Sequence, residues 1–171
     1  MRRLFVCVVM YIGLLANSAW AGGIAVVDFQ KAINEVKEGK KAKAELDKMF
    51  ASKKAQLAKM EKGLKAKFQE YQSQQSFLAP AARQEKEQAL MMEQQKLQQM
   101  AMQSEAEVQQ TYAKKMEVLI KKMKGISSEL GKQKNLDLIL EVSQGGVVYK
   151  AAGINDLTAN IIQLYDSRYG G

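Results

Sequence analysis

The sequence predicts an α+β chain, mostly α, in which a small β-rich body built from both chain ends carries a long antiparallel helical hairpin inserted between them. Three observations point there. Strand-like apolar runs stand only near the two ends, at residues 23–29 and 136–149. Between them, from about Lys40 to Lys134, the composition turns to Ala, Lys, Gln, Glu, Leu and Met, all strong helix formers. The only proline, Pro80, lies within that stretch, and the residue before a proline is pushed out of the helical region.

At the start of the chain Arg2 and Arg3 precede an apolar run from Leu4 to Leu15, followed by Asn17, Ser18 and the small-x-small triplet Ala19-Trp20-Ala21. This is the pattern of a secretory signal peptide cleaved near Ala21. A membrane-spanning helix needs about 20 apolar residues, and this run has about 12. The expected plan is therefore a leader over 1–21 and one domain over 22–171, with body segments 22–39 and 135–171. The arm spans 40–134 and turns near 76–80.

Loss of the leader removes Cys7, Trp20 and two arginines, leaving 150 residues with 24 basic and 18 acidic groups, a net charge of +6 and no His or Cys. Thiol chemistry, disulfides, His-based acid/base pairs and His/Cys zinc sites are thereby excluded. A cysteine-free secreted chain fits a bacterial periplasm better than a disulfide-stapled extracellular domain. A periplasmic location also removes the nucleic-acid partner that a basic chain first suggests.

Residues 23–29 read as a buried strand running into a helix capped by Asp28, with Phe29, Ile33 and Val36 on one stripe and Gly39 as its expected interruption. The outbound arm carries a heptad seam of Leu46, Phe50, Lys53, Leu57, Met60, Leu64, Lys67 and Tyr71. The return stripe runs from Leu90 through Gln94, Leu97, Ala101, Ser104, Val108 and Tyr112 to Met116, and on to Leu130. Lys53, Lys67, Gln94 and Ser104 dilute this seam, so the arm is expected to bend easily. At the far end, Leu136 to Val142 alternates and Gln144-Gly145-Gly146 turns into Val147-Val148-Tyr149, which reads as a β-hairpin. Asp156 or Thr158 then caps a last helix facing inward with Ile161, Ile162 and Tyr165. So small a body, with no staple, is expected to oligomerise.

No catalytic constellation emerges. Gly22-Gly23 precedes its strand, whereas a phosphate loop must follow one. Glu85 with Glu87 and Glu105 with Glu107 stand two apart on a helix and point to different faces. The expectation is a non-enzyme with no cofactor and no metal. Charge is more informative: residues 37–67 carry 11 Lys against 4 acids and 111–134 carry 7 against 2, while 68–110 carry 3 basic against 6 acidic groups. An antiparallel hairpin lays the two basic segments side by side, a field that attracts acidic chains or anionic lipid headgroups and weakens with salt. Methionines such as Met91, Met92, Met102 and Met116 crowd the return helix, where flexible thioethers suit contact with varied apolar partners.

The opening GGIAVVDFQKAINEVKEGKKAKAEL, the Lys/Gln/Ala hairpin and the closing NLDLILEVSQGGVVYKAAGINDLTANIIQLY together resemble the OmpH-like periplasmic chaperones. The most specific pieces are Asp28 with its Gln30-Lys31-Ala32 continuation, the Val148-Tyr149 pair, and Asp156-Leu157-Thr158. The resemblance implies a homotrimer whose helical arms surround a cavity that holds unfolded outer-membrane β-barrel proteins without ATP. On that reading Lys53, Lys59, Lys67, Lys114 and Lys121 line a positive wall for acidic clients, and Phe77, Leu78, Met91 and Met92 give the distal arm apolar grip. The distal arm offers only Arg83, Lys86 and Lys96, no dense match to the family's lipopolysaccharide cluster. The alternative class is a structural coiled-coil envelope adaptor that binds one defined partner through its seam.

Overall fold

The computed structural model describes residues 23–170, and the leader assigned to 1–21 lies outside the described residues. Strand β1 (Gly23–Val27) is the middle of a three-stranded sheet of order β2-β1-β3. Both neighbours, β2 (Leu136–Glu141) and β3 (Asn155–Asp156), come from the far end of the chain and run parallel to β1. Parallel neighbours cannot be joined by a tight turn, so the chain must make a long excursion between them. Here the excursion is helical: α1 (Phe29–Glu35), α2 (Lys37–Gln74), a 3-10 turn (Gln75–Phe77) and α3 (Pro80–Gln133) lie between β1 and β2, and α4 (Thr158–Tyr169) follows β3.

Residues 25–27 are apolar and β-branched or small, and all three are buried. Ala25 and Val27 face the core, where Phe29, Ala32 and Ile33 of α1 meet Met123, Ile126 and Leu130 of α3 and Ile161 and Tyr165 of α4. Asp28 caps α1, its carboxylate accepting from Lys31 N at 2.8 Å. The predicted stripe of Phe29, Ile33 and Val36 is buried as expected. The break, however, falls at Val36, whose ψ of 147° ends α1, and not at Gly39. Gly39 sits in the first turn of α2, so close to the end of α1 that a Cβ there would lie 1.8 Å from the Ile33 carbonyl oxygen.

The predicted β-hairpin does not form. Only Leu136–Glu141 is a strand, and Val148 and Tyr149 are 99% and 83% exposed. The cause is Glu141: its carboxylate accepts from Ser143 N, Ser143 Oγ and Gln144 N, and also from Phe29 N at the start of α1. The chain turns away from β2 at once instead of returning beside it. Burial opposes ionisation of Glu141, but these donors hold its carboxyl below the usual carboxylate range. The chain re-enters the sheet on the other side of β1, where Leu157 N donates to Val26 O.

Asp156 and Thr158 act together at the start of α4. The Asp156 carboxylate accepts from Thr158 Oγ1 at 2.6 Å and Thr158 N at 3.0 Å, and Thr158 Oγ1 in turn accepts from Asp28 N. Thr158 is the first helical residue, preceded by Leu157. The Thr158 hydroxyl and amide and the Lys150 ammonium hold Asp156 at about 2, against an ordinary 3.8.

The arm is a pair of unequal helices, 38 residues out and 54 back, joined by a turn with Ala79 extended and Pro80 opening α3. The outbound helix spans about 57 Å at 1.5 Å per residue. Its seam is thinner than predicted: Leu46, Leu57, Met60 and Leu64 are half-buried and Tyr71 is buried, but Phe50 is 59% exposed and Met49 turns inward in its place. On the return helix Leu90, Leu97, Val108 and Met116 are half-buried and Ser104 is buried, whereas Gln94, Ala101 and Tyr112 face solvent. At each of these points a step of four along the predicted stripe runs one position past the residue that turns inward.

Two glycines give opposite expectations. Gly39→Ala forces α1 and α2 apart and lowers stability by about 2–3 kcal/mol, whereas Gly63→Ala, with nothing near its Cβ position inside α2, raises it by about 0.5–1 kcal/mol. Denaturant melts of the two variants check this. The depressed Asp156 carboxyl stabilises the body above about pH 4, and that contribution is lost as pH falls through about 2. Asp156→Asn is therefore less stable at neutral pH and shows a flatter decline between pH 4 and 2 in thermal melts.

Candidate functional site

Arm residues that cross-link α2 and α3 follow one rule. In the ion pairs Glu38–Lys122, Glu45–Lys115, Lys53–Glu107 and Lys67–Glu93, and in the Lys86 to Gln74 hydrogen bond, the two residue numbers add to 160. The register of the hairpin is thus marked along its whole length by charge pairs spaced about one or two heptads apart. Such exposed pairs contribute little each, about 0–1 kcal/mol, but a slipped register would place like charges together. At the tip, Tyr71 is buried and donates to Glu87, which raises the Tyr71 pKa. Arg83 ties the turn by donating from Nε to Leu78 O at 3.0 Å and from Nη2 to Ser76 O at 3.4 Å.

At the base, α4 fastens both arm helices. Asp166 accepts from Lys37 N at 2.9 Å and so caps α2, while Arg168 pairs with Glu129 of α3. Tyr165 Oη donates to Glu38 Oε2 at 2.6 Å, and the Lys122 ammonium reaches the same carboxylate and lies 4.6 Å from the Tyr169 ring centre. Burial and the Glu38 carboxylate raise the Tyr165 pKa; burial opposes ionisation of Glu38, yet the Lys122 and Tyr165 donors leave its carboxyl lowered.

The arm has two unlike flanks. One carries the charge pairs and shallow grooves edged by Lys41, Lys114, Lys67 and Lys96. The other carries two grooves edged by large exposed apolar side chains, Phe50 with Tyr112 and Phe68 with Met91. Patches of exposed aromatic surface on a monomer are unusual unless something binds there. The body adds a third apolar surface: Ile24 pairs with Leu138 and Val26 with Leu140 on the sheet face away from the core, and Ile24, Leu138 and Leu140 are exposed.

Of the residues singled out from sequence, Lys59, Lys114 and Lys121 are exposed, and among the described residues none of them has an ion-pair partner. Lys53 and Lys67 are instead tied to Glu107 and Glu93 in the ladder. Phe77 is 89% exposed at the tip, Met91 and Met92 are exposed, and Leu78 is half-buried under Arg83. Sequence periodicity misses the roles of Phe50 and Tyr112 by assigning them to the seam. The available signal is the spacing of Phe50 and Phe68, five full helical turns apart. Among the described residues no group of three His, Cys, Asp or Glu converges as a metal site, and no helix is long and apolar enough to cross a membrane.

Residues 23–165, nearly all of the described chain, match the family model for outer membrane protein (OmpH-like). The chain belongs to the OmpH-like family. This OmpH-like chain also shares its fold with a candidate outer membrane chaperone (OmpH-like) from Caulobacter crescentus CB15, at a TM-score of 0.76 and 16% identity over 86% of this chain and 85% of that one. No curated protein matches the sequence.

The ladder makes a direct expectation. Lys53→Glu or Glu107→Lys alone places like charges across the arm and lowers the melting temperature by a few degrees, and the double exchange restores most of the loss. A double-mutant cycle by circular dichroism should give a coupling of about 0.5 kcal/mol.

Proposed function

We propose that this OmpH-like protein is an ATP-independent holdase chaperone of the periplasm, which binds unfolded outer-membrane β-barrel proteins between helical arms and prevents their aggregation. The observation that carries this reading is the arm itself: two long helices with a thin seam, a large apolar flank left open, and no enclosed site for a small ligand among the described residues. Holding a varied, unfolded client needs many weak contacts and adaptable walls, and an arm of this kind supplies both. The family membership and the shared fold with a candidate outer membrane chaperone support the same reading. A leader cleaved near Ala21 would deliver the chain to that compartment. The protein is read as a non-enzyme.

A homotrimer is the assembly that suits the body. Its sheet leaves Ile24, Leu138 and Leu140 open on one face, β2 has a free outer edge, and Val148 and Tyr149 stand exposed on the segment between β2 and β3. Copies of the chain covering these surfaces would supply the core that a three-stranded sheet lacks. The positive wall is then drawn from Lys59, Lys114 and Lys121, with Lys53 and Lys67 contributing less because Glu107 and Glu93 neutralise them. The same lysines would meet an anionic lipid surface.

Light scattering of several unrelated denatured barrel proteins, diluted into a stoichiometric amount of the purified protein, tests the reading. Broad suppression of aggregation is expected; protection of a single protein would point to an adaptor instead. Changing Lys59, Lys114 and Lys121 together to Gln should weaken capture of acidic clients and flatten its salt dependence, whereas Lys53→Gln should have a smaller effect on both. The native mass of the mature protein should be three times that of the chain.

A further inference from the structure

The ladder that ties the two arm helices leaves one rung to methionine. Along α2 its polar cross-links stand at residues 38, 45, 53, 67 and 74, so a regular step of seven or eight is broken once, between Lys53 and Lys67. The same gap opens on α3 between Glu107 and Glu93. A rung at the regular step, with residue numbers that add to 160 as in the others, sets Met60 against Met100, and both are half-buried. No other pair of arm residues that obeys this rule brings two methionines together.

Between the flanking charge pairs the arm runs for about 21 Å of helix. Among the described residues no ion pair or hydrogen bond joins the helices within that length, and the seam beside the methionines consists of half-buried Leu57, Leu64 and Leu97. Met60 edges a groove that it shares with Gly63, where an added Cβ would meet nothing within 4 Å. A small solute can therefore approach this rung from the side while the arm stays folded.

Sulfur in residues 22–171 is confined to methionine, and Trp and His are absent as well. Thioethers are then the side chains that a two-electron oxidant converts first. We propose that the Met60–Met100 rung is an oxidation-sensitive joint in the arm, with a peroxide as its co-reactant. The thioether sulfur attacks one oxygen of hydrogen peroxide, an S–O bond forms as the O–O bond breaks, and the second oxygen leaves as water with both protons. Sulfur gives up two electrons and the peroxide takes them. A sulfoxide accepts hydrogen bonds and donates none, so two of them on one rung face each other without a donor, and their apolar contact is lost. The arm opens at its middle while the charge pairs on either side stay closed. Met91, Met92 and Met102 are 61%, 68% and 67% exposed, so their oxidation precedes that of the rung and leaves the seam alone; Met123 is sealed in the body. Methionine sulfoxide reductases, one for each epimer, restore the joint. The change lies in the arm and is read without a client, so it stands apart from the holdase reading.

Trypsin is a suitable probe, because Lys59 and Lys62 flank Met60. The mature protein is treated with graded hydrogen peroxide, mapped by peptide mass spectrometry and digested briefly. Once both rung methionines carry oxygen, cleavage after Lys59 and Lys62 should be about tenfold faster, because cutting tracks the population of the locally opened arm. Met91→Leu/Met92→Leu/Met102→Leu should keep this response, and Met60→Leu/Met100→Leu, which conserves side-chain volume, should abolish it. Treatment with the two reductases should return cleavage to its starting rate. Unchanged or slower cleavage of the rung-oxidised protein would overturn the proposal. So would an undiminished response in Met60→Leu/Met100→Leu, or a rung that takes up oxygen only after circular dichroism shows the arm unfolded.

Discussion

Strand β1 accepts both of its partners from residues more than a hundred positions away, and both run parallel to it. That pairing dictates the path of the rest of the chain. A parallel neighbour requires the chain to leave one end of the sheet and come back to the other, so the inserted segment must be closed. An antiparallel pair of unequal helices meets this demand: with 54 residues back against 38 out, α3 runs on past the base of α2 and delivers the chain to the opposite end of the sheet. The buried contacts of Met123, Ile126 and Leu130 with the sheet and with α1 then hold the return helix where β2 can begin.

Beyond the body, packing gives way to charge as the feature that distinguishes one register from another. The apolar seam is narrow and interrupted by polar groups, which leaves the helices bound to each other loosely but in a defined alignment. The same thinness frees large side chains for the outside. An arm that spent Phe50, Phe68 and Tyr112 on its own seam would be stiffer and would present little to another chain.

Much of this is legible in the residues. Helix-forming composition between two strand-like ends, a single proline and the capping aspartate at residue 28 are sufficient for the body, the insertion and the turn. The failures are of two physical kinds. Stepping between apolar residues places Phe50 and Tyr112 inward, because a step of four from Leu46 and from Val108 lands on them where the helices turn Met49 and Thr111, three residues on, toward the seam. The second kind is competition: Gln144-Gly145-Gly146 carries the chemistry of a hairpin turn, but a carboxylate a few residues earlier, Glu141, captures the amides that would have entered the ladder. The ion pairs along the arm are not visible because pairing across a hairpin depends on register, which no local pattern in either helix records. The exposed lysines at 59, 114 and 121 can be named from composition, but nothing local separates them from the two that are paired.

The fastening of the arm by α4 has a consequence in time. The ribosome makes the chain from residue 1 onward, so β1 and both arm helices exist before the helix that caps α2 through Asp166 and grips α3 through Arg168. Local helical contacts form in about a microsecond, whereas the sheet must wait for partners still unmade. An unfinished or C-terminally clipped chain would therefore own complete arms with no fixed direction and an unpaired apolar strand at their base. Helix α4 serves as a completion mark, and only a chain that has made it presents its arms in an orderly way.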